Sequence, residues 1–406
     1  MKLSFMRIVD DSLGTVICML LGWIVRIKHV FCPFQPVVDS QKVKTILCQK
    51  YFGMGSILYT APLINGLRTH YPNAKIIYMT FKSNQDFVRL ARLCDDLLVI
   101  REESFGLFIK DVFGCLLYLL RQRIDVSIDF EFFSKFTMII SLLSMAKIRA
   151  GLHQKGIRPE GIMTHSVYYN HYKHISDIYF AFGSVLGIER KNGYFDSLLP
   201  SLKDFHEKTI REKLGMNGRK SIIIINVNAG ELFKYRCWPA DYFAKLIQLL
   251  IDKYPDNYYV MIGVKSEYEY VEGIFKRIQH KRNQLINCAG KSSLEELFAL
   301  IEMSYLMITN DSGPLHIAAA YGKNIAAFYG PETPIVYGPL NRKDALVFYS
   351  ENFYCSPCLS VYDSKKSLYS EVCGDNVCMS EIKPHMAFEK ICKAFLSTER
   401  KKDLVN

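Results

Sequence analysis

Asp311, Ser312, Gly313, Pro314 and His316 fall together in ITNDSGPLHIAAAYG (308–322), where an apolar run breaks and a helical pattern begins. LMITND reads as a strand, and PLHIAAAYG reads as a helix begun by Pro314 at the first helical position and ended by Gly322. A turn feeding a helix presents unpaired backbone N–H groups at the positive end of the helix dipole, which makes an anion site. Gly313 keeps a Cβ out of the anion's way, Ser312 adds a hydroxyl donor, and His316 adds a donor that is charged when protonated. Ordinary helix capping requires neither the glycine nor the histidine.

A second such turn follows SIIIINVNAG (221–230), which ends in Asn228, Ala229 and Gly230. Lys234 and Arg236 come next, before Trp238 and Pro239 open a helix. Backbone donors from one loop and cations from the other suit a diphosphate; without a ligand the two cations are surface charges. In the first half, Gly53 and Gly55 of GMGS follow a strand pattern, but the run is a truncated dinucleotide fingerprint. Thr80, Lys82 and Asn84 stand where an NAD site wants an acid, which argues against a dehydrogenase. Asp129 and Glu131 close the strand run DVSIDFE (125–131). A carboxylate there is a general base or a helix-start acid held by the dipole.

Cys355 and Cys358 in CSPC, with Cys373 and Cys378, form two close pairs late in the chain. Structural zinc, a reversible disulfide and plain loop cysteines all fit, since only the first pair has the favoured C-x-x-C spacing. The remaining eight of the 12 cysteines are dispersed in apolar surroundings and read as small buried hydrophobes of a reducing cytosol.

What positions these groups is an alternation of short β-rich runs and helical patterns, the mark of parallel α/β sheets. The first half offers strands at 45–51, 74–80, 96–100 and 125–131, and the second at 221–230, 258–263, 285–290, 306–311 and 325–330. Four of the latter five runs finish in glycine, and ligands of open parallel sheets bind beyond the carboxyl ends of the strands. The polar stretch 190–220 marks the junction, giving an N-terminal domain over 41–200 and a C-terminal one over 201–385. Residues 386–406 form a terminal helix and basic tail. Residues 1–40 carry the apolar run LGTVICMLLGWIV (13–25), preceded by acids and followed by bases, the reverse of a signal peptide. Thirteen residues are too few to cross a bilayer comfortably. The run is a helix buried against the protein body or one lying in a membrane interface with Trp23 at headgroup level.

The 406 residues are 50% hydrophobic and 22% charged, which excludes a disordered chain, and the net charge of +11 suits an anionic partner. The cations are scattered with no zinc-finger or ribonucleoprotein motif, so nucleic-acid binding is not expected.

At this point the sequence resembles the heptosyltransferases, glycosyltransferase family nine. The likeness rests on GKSSLEELFALIEMSYLMITNDSGPLHIAAAYGKNIAAFYGP (290–331), INVNAGELFKYRCWPADYFAKLI (225–247) and GMGSILYTAPLINGLRTHYPNAKI (53–76). It implies two Rossmann-like domains facing a central cleft, the GT-B architecture. It also implies inverting, metal-independent transfer of a sugar from a nucleotide-sugar donor, ADP-heptose or another, to a glycolipid or oligosaccharide acceptor of lipopolysaccharide type. The expected location is the cytoplasmic face of the membrane. Carried over by position, Ser312, Gly313, Pro314 and His316 surround the donor diphosphate, Asp311 shapes the loop, and Arg236 stands where the family usually has lysine. A ribose-binding carboxylate is expected near Glu267 or Glu269. The family's general-base aspartate is replaced by Ser56, whose neutral hydroxyl cannot readily take a proton. That departure leaves Glu131 as the base expected here, and it raises a competing class, a catalytically silent nucleotide-sugar-binding protein. A sugar-nucleotide epimerase would need an acid/base pair that the sequence does not offer.

Overall fold

Short, largely apolar runs build two sheets, each parallel throughout. The computed structural model describes residues 3–31, 43–153, 158–218, 220–230, 235–279, 283–340, 345–351, 353, 355–358 and 376–397. The chain divides between Leu198 and Leu199 into two units.

The first unit holds β1 (Thr45–Gln49), β2 (Lys75–Phe81), β3 (Asp96–Ile100), β4 (Val126–Asp129), β5 (Ile148–His153) and β6 (His165–Tyr168) in the order β3-β2-β1-β4-β5-β6. The second holds β7 (Ile222–Asn226), β8 (Tyr258–Met261), β9 (Leu285–Asn287), β10 (Leu306–Asn310), β11 (Asn324–Phe328) and β12 (Leu346–Phe348), in the order β12-β11-β10-β7-β8-β9. Every residue of β1, β4, β7 and β10 is buried, as expected for central strands covered on both faces. In each sheet the order reverses beside the first strand, between β1 and β4 and between β7 and β10. That reversal opens a crevice at the strands' carboxyl ends.

In the first unit, Leu47, Ile77 and Met79 of the sheet pack on Cys115 and Leu119 of the helix Phe105–Gln122 and on Ile140 of the helix Lys135–Leu143. In the second, the Trp238 indole stacks on Phe328 with ring centroids 4.2 Å apart, and its Nε1–H donates to the Ile382 carbonyl at 2.8 Å. The terminal helix Pro384–Ile391 belongs to this second core through Ile391 and Phe395.

Two features differ from the sequence reading. β5, β6 and β12 were not anticipated, because Arg149, Gly151 and His165 break the apolar pattern and β12 is only three residues long. The N-terminal helix is also longer than the thirteen-residue run. Leu3–Val9, a π-helical turn Asp10–Gly14 and Thr15–Phe31 follow one another without a break, and 23 residues from Phe5 to Ile27 are apolar enough to cross a membrane by length and composition. Asp10 and Asp11 do not interrupt it because both find partners at the start of the helix Lys135–Leu143. Asp10 accepts the Lys135 and Phe136 amides at 2.9 and 2.7 Å, and Asp11 pairs with the Lys135 ammonium. The helix is neither fully buried nor free: Gly14, Cys18 and Gly22, spaced by four, are buried against the body, Met6 and Leu21 pack beside them on buried clusters, and Val16, Met19, Leu20, Trp23, Ile24 and Ile27 face outward.

Candidate active site

Two clusters of chemically capable groups lie at the two sheet reversals, one in each unit. In the first unit, β1 runs into Lys50, Tyr51 and Phe52 and then into Gly53, whose φ of +81° only glycine adopts without strain. This geometry turns the chain into the short helix Met54–Leu58, which carries buried Gly55 and half-buried Ser56. β1 pairs with β4 so that Gln49 lies opposite Asp129, and the residues after both strands meet.

Glu131 is the centre of that meeting. Its Oε1 accepts the Lys50 ammonium at 2.8 Å, the Tyr51 amide at 2.8 Å and the Phe52 amide at 3.0 Å. Its Oε2 is buried and has no hydrogen-bond partner among the described residues. A buried carboxylate oxygen without a donor is costly, and such orphans accompany functional sites. Asp129 behaves differently. Its Oδ1 accepts the Glu131 amide at 3.0 Å, and its Oδ2 accepts the Thr137 hydroxyl at 2.7 Å and pairs with Arg158. Burial raises the Asp129 carboxyl above its ordinary value, and Arg158 opposes the shift. Both Asp129 oxygens are thus engaged within the protein, and one of them holds the backbone of Glu131. Lys50 and Arg158 escaped the sequence reading: Lys50 sits in a loop with no distinguishing motif, and Arg158 meets Asp129 across 29 residues of chain.

In the second unit the turn after β10 and the turn after β7 are tied together. Asn226, the last residue of β7, donates its side-chain amide to the Ser312 hydroxyl at 2.8 Å, the Thr309 hydroxyl at 3.2 Å and the Asn228 carbonyl at 3.2 Å. The helix Gly313–Ala320 begins one residue before Pro314, and Ser312 at its N-cap makes no side-chain cap. The first-turn amides of that helix are therefore not consumed by the Ser312 side chain. Asn228 turns its amide toward the Ile262 carbonyl at 3.1 Å and leaves Ala229 and Gly230, with φ of +79°, to form the loop.

Arg236 is not a surface charge. Its guanidinium is almost buried, 3.0 Å from Asp311 Oδ2 and 3.4 Å from Glu332 Oε2. The segment is held there by Trp238, whose amide donates to the Asn310 side chain at 2.9 Å, while Asn310 donates to the Val227 carbonyl. His316 is also buried, with Nε2 4.0 Å from Asp311 Oδ1. Burial raises the Asp311 carboxyl, with Arg236 pulling the other way. Glu332 was missed in the sequence. Burial, reinforced by Asp311 and opposed by Arg236, pushes its carboxyl from 4.5 up to about 7. The signal available was an acid two residues beyond the glycine that follows β11, in YGPETP. Asp311, His316 and Arg236 are thus brought together with Glu332, and Lys234 lies outside the described residues.

Glu267 accepts the Val264 amide at 2.9 Å just past β8, and Glu269 is exposed on the helix Tyr268–Arg277. Of the late cysteines, Cys358 donates its amide to the Pro331 carbonyl at 3.0 Å, Cys378 is buried beside Gly330, and Cys355 is exposed. Cys373 lies outside the described residues. Among the described residues no group of three His, Cys, Asp or Glu side chains is arranged to hold a metal ion.

A family model described as glycosyltransferase family 9 (heptosyltransferase) matches residues 124–368. Lipopolysaccharide heptosyltransferase 3 of Escherichia coli strain K12 is 26% identical over 332 residues, 80% of this chain and 93% of that protein. A solved family 9 glycosyl transferase from Veillonella parvula superposes with a TM-score of 0.69 at 21% identity, covering 87% of this chain and 97% of that one. The ADP-heptose lps heptosyltransferase II of Escherichia coli gives 0.68 at 19% identity, covering 88% of this chain and 100% of the other. These two structures share the fold of this chain.

Proposed function

From the premise that the chain belongs to glycosyltransferase family 9, the heptosyltransferase family, we propose that it moves a heptose-type sugar from a nucleoside-diphosphate donor to a hydroxyl of a lipopolysaccharide-type glycolipid. The observation that carries this reading is the locked turn at the β7/β10 reversal, where Asn226 fixes Ser312 and the first-turn amides of the helix Gly313–Ala320 are not taken by a side-chain cap. ADP-heptose is the donor favoured, since the Escherichia coli heptosyltransferase II whose fold it shares is an ADP-heptose enzyme. The location that goes with this reading is the cytoplasm, peripheral at the inner face of the membrane.

In this reading Glu131 Oε2 takes the proton of the acceptor hydroxyl. The acceptor oxygen attacks the anomeric carbon opposite the nucleotide, the carbon–oxygen bond to the diphosphate breaks, and the nucleoside diphosphate leaves with that electron pair. Lys50 and the Tyr51 and Phe52 amides hold the other carboxylate oxygen, fixing where the base points. The helix-end amides, Arg236 and His316 stabilise charge on the departing diphosphate. Transfer needs no metal here, because cations and a helix dipole supply the positive field; turnover that collapses in chelator and returns with a divalent ion would refute that part. The silent-binder alternative is not favoured by family membership. The decisive experiment incubates the full chain with nucleotide sugars and a truncated lipopolysaccharide acceptor. Selective thermal stabilisation by one donor with glycosidic product supports the reading, and stabilisation by none sinks it.

A further inference from the structure

The first unit turns an unusual amount of apolar surface to water. On the N-terminal helix Val16, Met19, Leu20, Trp23, Ile24 and Ile27 are between 51 and 68% exposed. On the helix Phe105–Gln122 a second stripe, Phe105, Ile109, Phe113, Leu117 and Leu120, is between 41 and 63% exposed at intervals of four, four, four and three. The opposite face of that helix, with Cys115 and Leu119, is in the core. Both helices lie on the same side of the unit, because Met6 of the first and Phe108, Val112 and Leu116 of the second pack against one cluster that also receives Phe136.

Polar groups on these helices are satisfied internally. Ser12 and Thr15 return their hydroxyls to the carbonyls of Ile8 and Asp11, each at 2.6 Å. Asp10 and Asp11 are spent on the start of the helix Lys135–Leu143, and Asp111 pairs with Arg101 at 2.7 Å. The exposed charges on or beside the two stripes are the cations Arg26, Lys110, Arg121 and Arg123 and the acids Asp11, Glu103 and Glu160, of which Asp11 is already paired with Lys135. A surface that satisfies its own hydroxyls, pairs Asp10, Asp11 and Asp111 within the protein and carries cations at its margins is complementary to acyl chains beneath anionic headgroups. The N-terminal helix does not stand away from the body as a spanning helix would. Gly14 abuts Lys135, Cys18 donates toward the Lys135 carbonyl at 3.8 Å, and Gly22 meets the Glu160 carbonyl, so one side stays docked over more than two turns.

We propose that the outward stripes of the N-terminal helix and of the helix Phe105–Gln122 form one docking surface for an anionic lipid bilayer, on which the first unit lies without crossing. This deepens the glycolipid-acceptor reading and rests on it. The test uses the full chain with vesicles of phosphatidylcholine, alone and mixed with phosphatidylglycerol, measured by co-sedimentation. The expected result is binding that is stronger to the mixed vesicles. The pairs Leu20→Ser with Trp23→Ser and Phe113→Ser with Leu117→Ser should each lower it about tenfold. Donor-induced thermal stabilisation should be unchanged in both pairs, so loss of membrane docking is separable from loss of transferase function. Wild-type binding that depends on the N-terminal pair alone would overturn the shared surface. So would self-association of the chain through these same residues with no vesicle binding.

Discussion

Asn226 and Ser312, 86 residues apart, are joined by a 2.8 Å hydrogen bond from amide to hydroxyl. The bond fixes the carboxyl end of β7 to the turn that opens the helix Gly313–Ala320. Asn226→Ala leaves the Ser312 and Thr309 hydroxyls to each other and frees the turn. Donor affinity is expected to fall about tenfold, the worth of one well-placed buried hydrogen bond. Titration calorimetry with the donor checks it; an unchanged Kd would remove the locked turn from donor recognition.

Glu131→Gln keeps a side chain able to meet the Tyr51 and Phe52 amides but removes the basic oxygen. Turnover is expected to drop by roughly two to four orders of magnitude with donor binding intact. Ser56→Ala, which deletes a hydroxyl that cannot serve as base, is expected to change turnover by less than about tenfold. Steady-state kinetics on both variants separates the two positions.

Glu332 carries the clearest pH dependence. Its carboxyl is raised from 4.5 to about 7 in the folded protein, so its contribution to stability is fully present below the lower value and is lost as pH rises through the upper one. Glu332→Gln is expected to flatten stability between those limits, the full effect being on the order of 3 kcal/mol. Donor binding should follow the same sign. Deprotonated Glu332 adds a negative charge beside Arg236 and Asp311, so the affinity for a diphosphate weakens as pH rises through about 7. Denaturant midpoints and donor Kd across that range, for wild type and variant, test both statements.

Trp238→Ala removes a fully buried indole stacked on Phe328 and its hydrogen bond to Ile382, and is expected to destabilise the second unit by about 3–5 kcal/mol. Urea unfolding checks the loss. Because the Trp238 amide also anchors the segment carrying Arg236, donor binding should weaken even where the variant remains folded.

The second half was the more legible in the sequence, for a physical reason. Its central strands are continuous buried apolar runs, IIIIN in β7 and LMITN in β10, and the helix after β10 announces itself through Pro314 and Gly322 within fifteen residues. Both signals are local. The partners that give these residues their roles are not: Glu131 is defined by Lys50 and two amides about 80 residues upstream, and Arg236 by acids 75 and 96 residues away. Burial of Arg236 was unreadable for the same reason, since a cation looks solvent-facing until two buried carboxylates are folded around it. The N-terminal helix was underread because Asp10 and Asp11 break the apolar run in one dimension while finding partners in three.

The chain has two indoles, and they occupy opposite surroundings: Trp238 is wholly enclosed against Phe328, and Trp23 is 68% exposed. Its intrinsic fluorescence is therefore the sum of a blue emission from the second unit and a red, quencher-accessible emission from the first. Replacing one indole at a time turns a single cuvette signal into two addresses, one reporting the environment of the N-terminal helix and the other the packing behind the Arg236 segment.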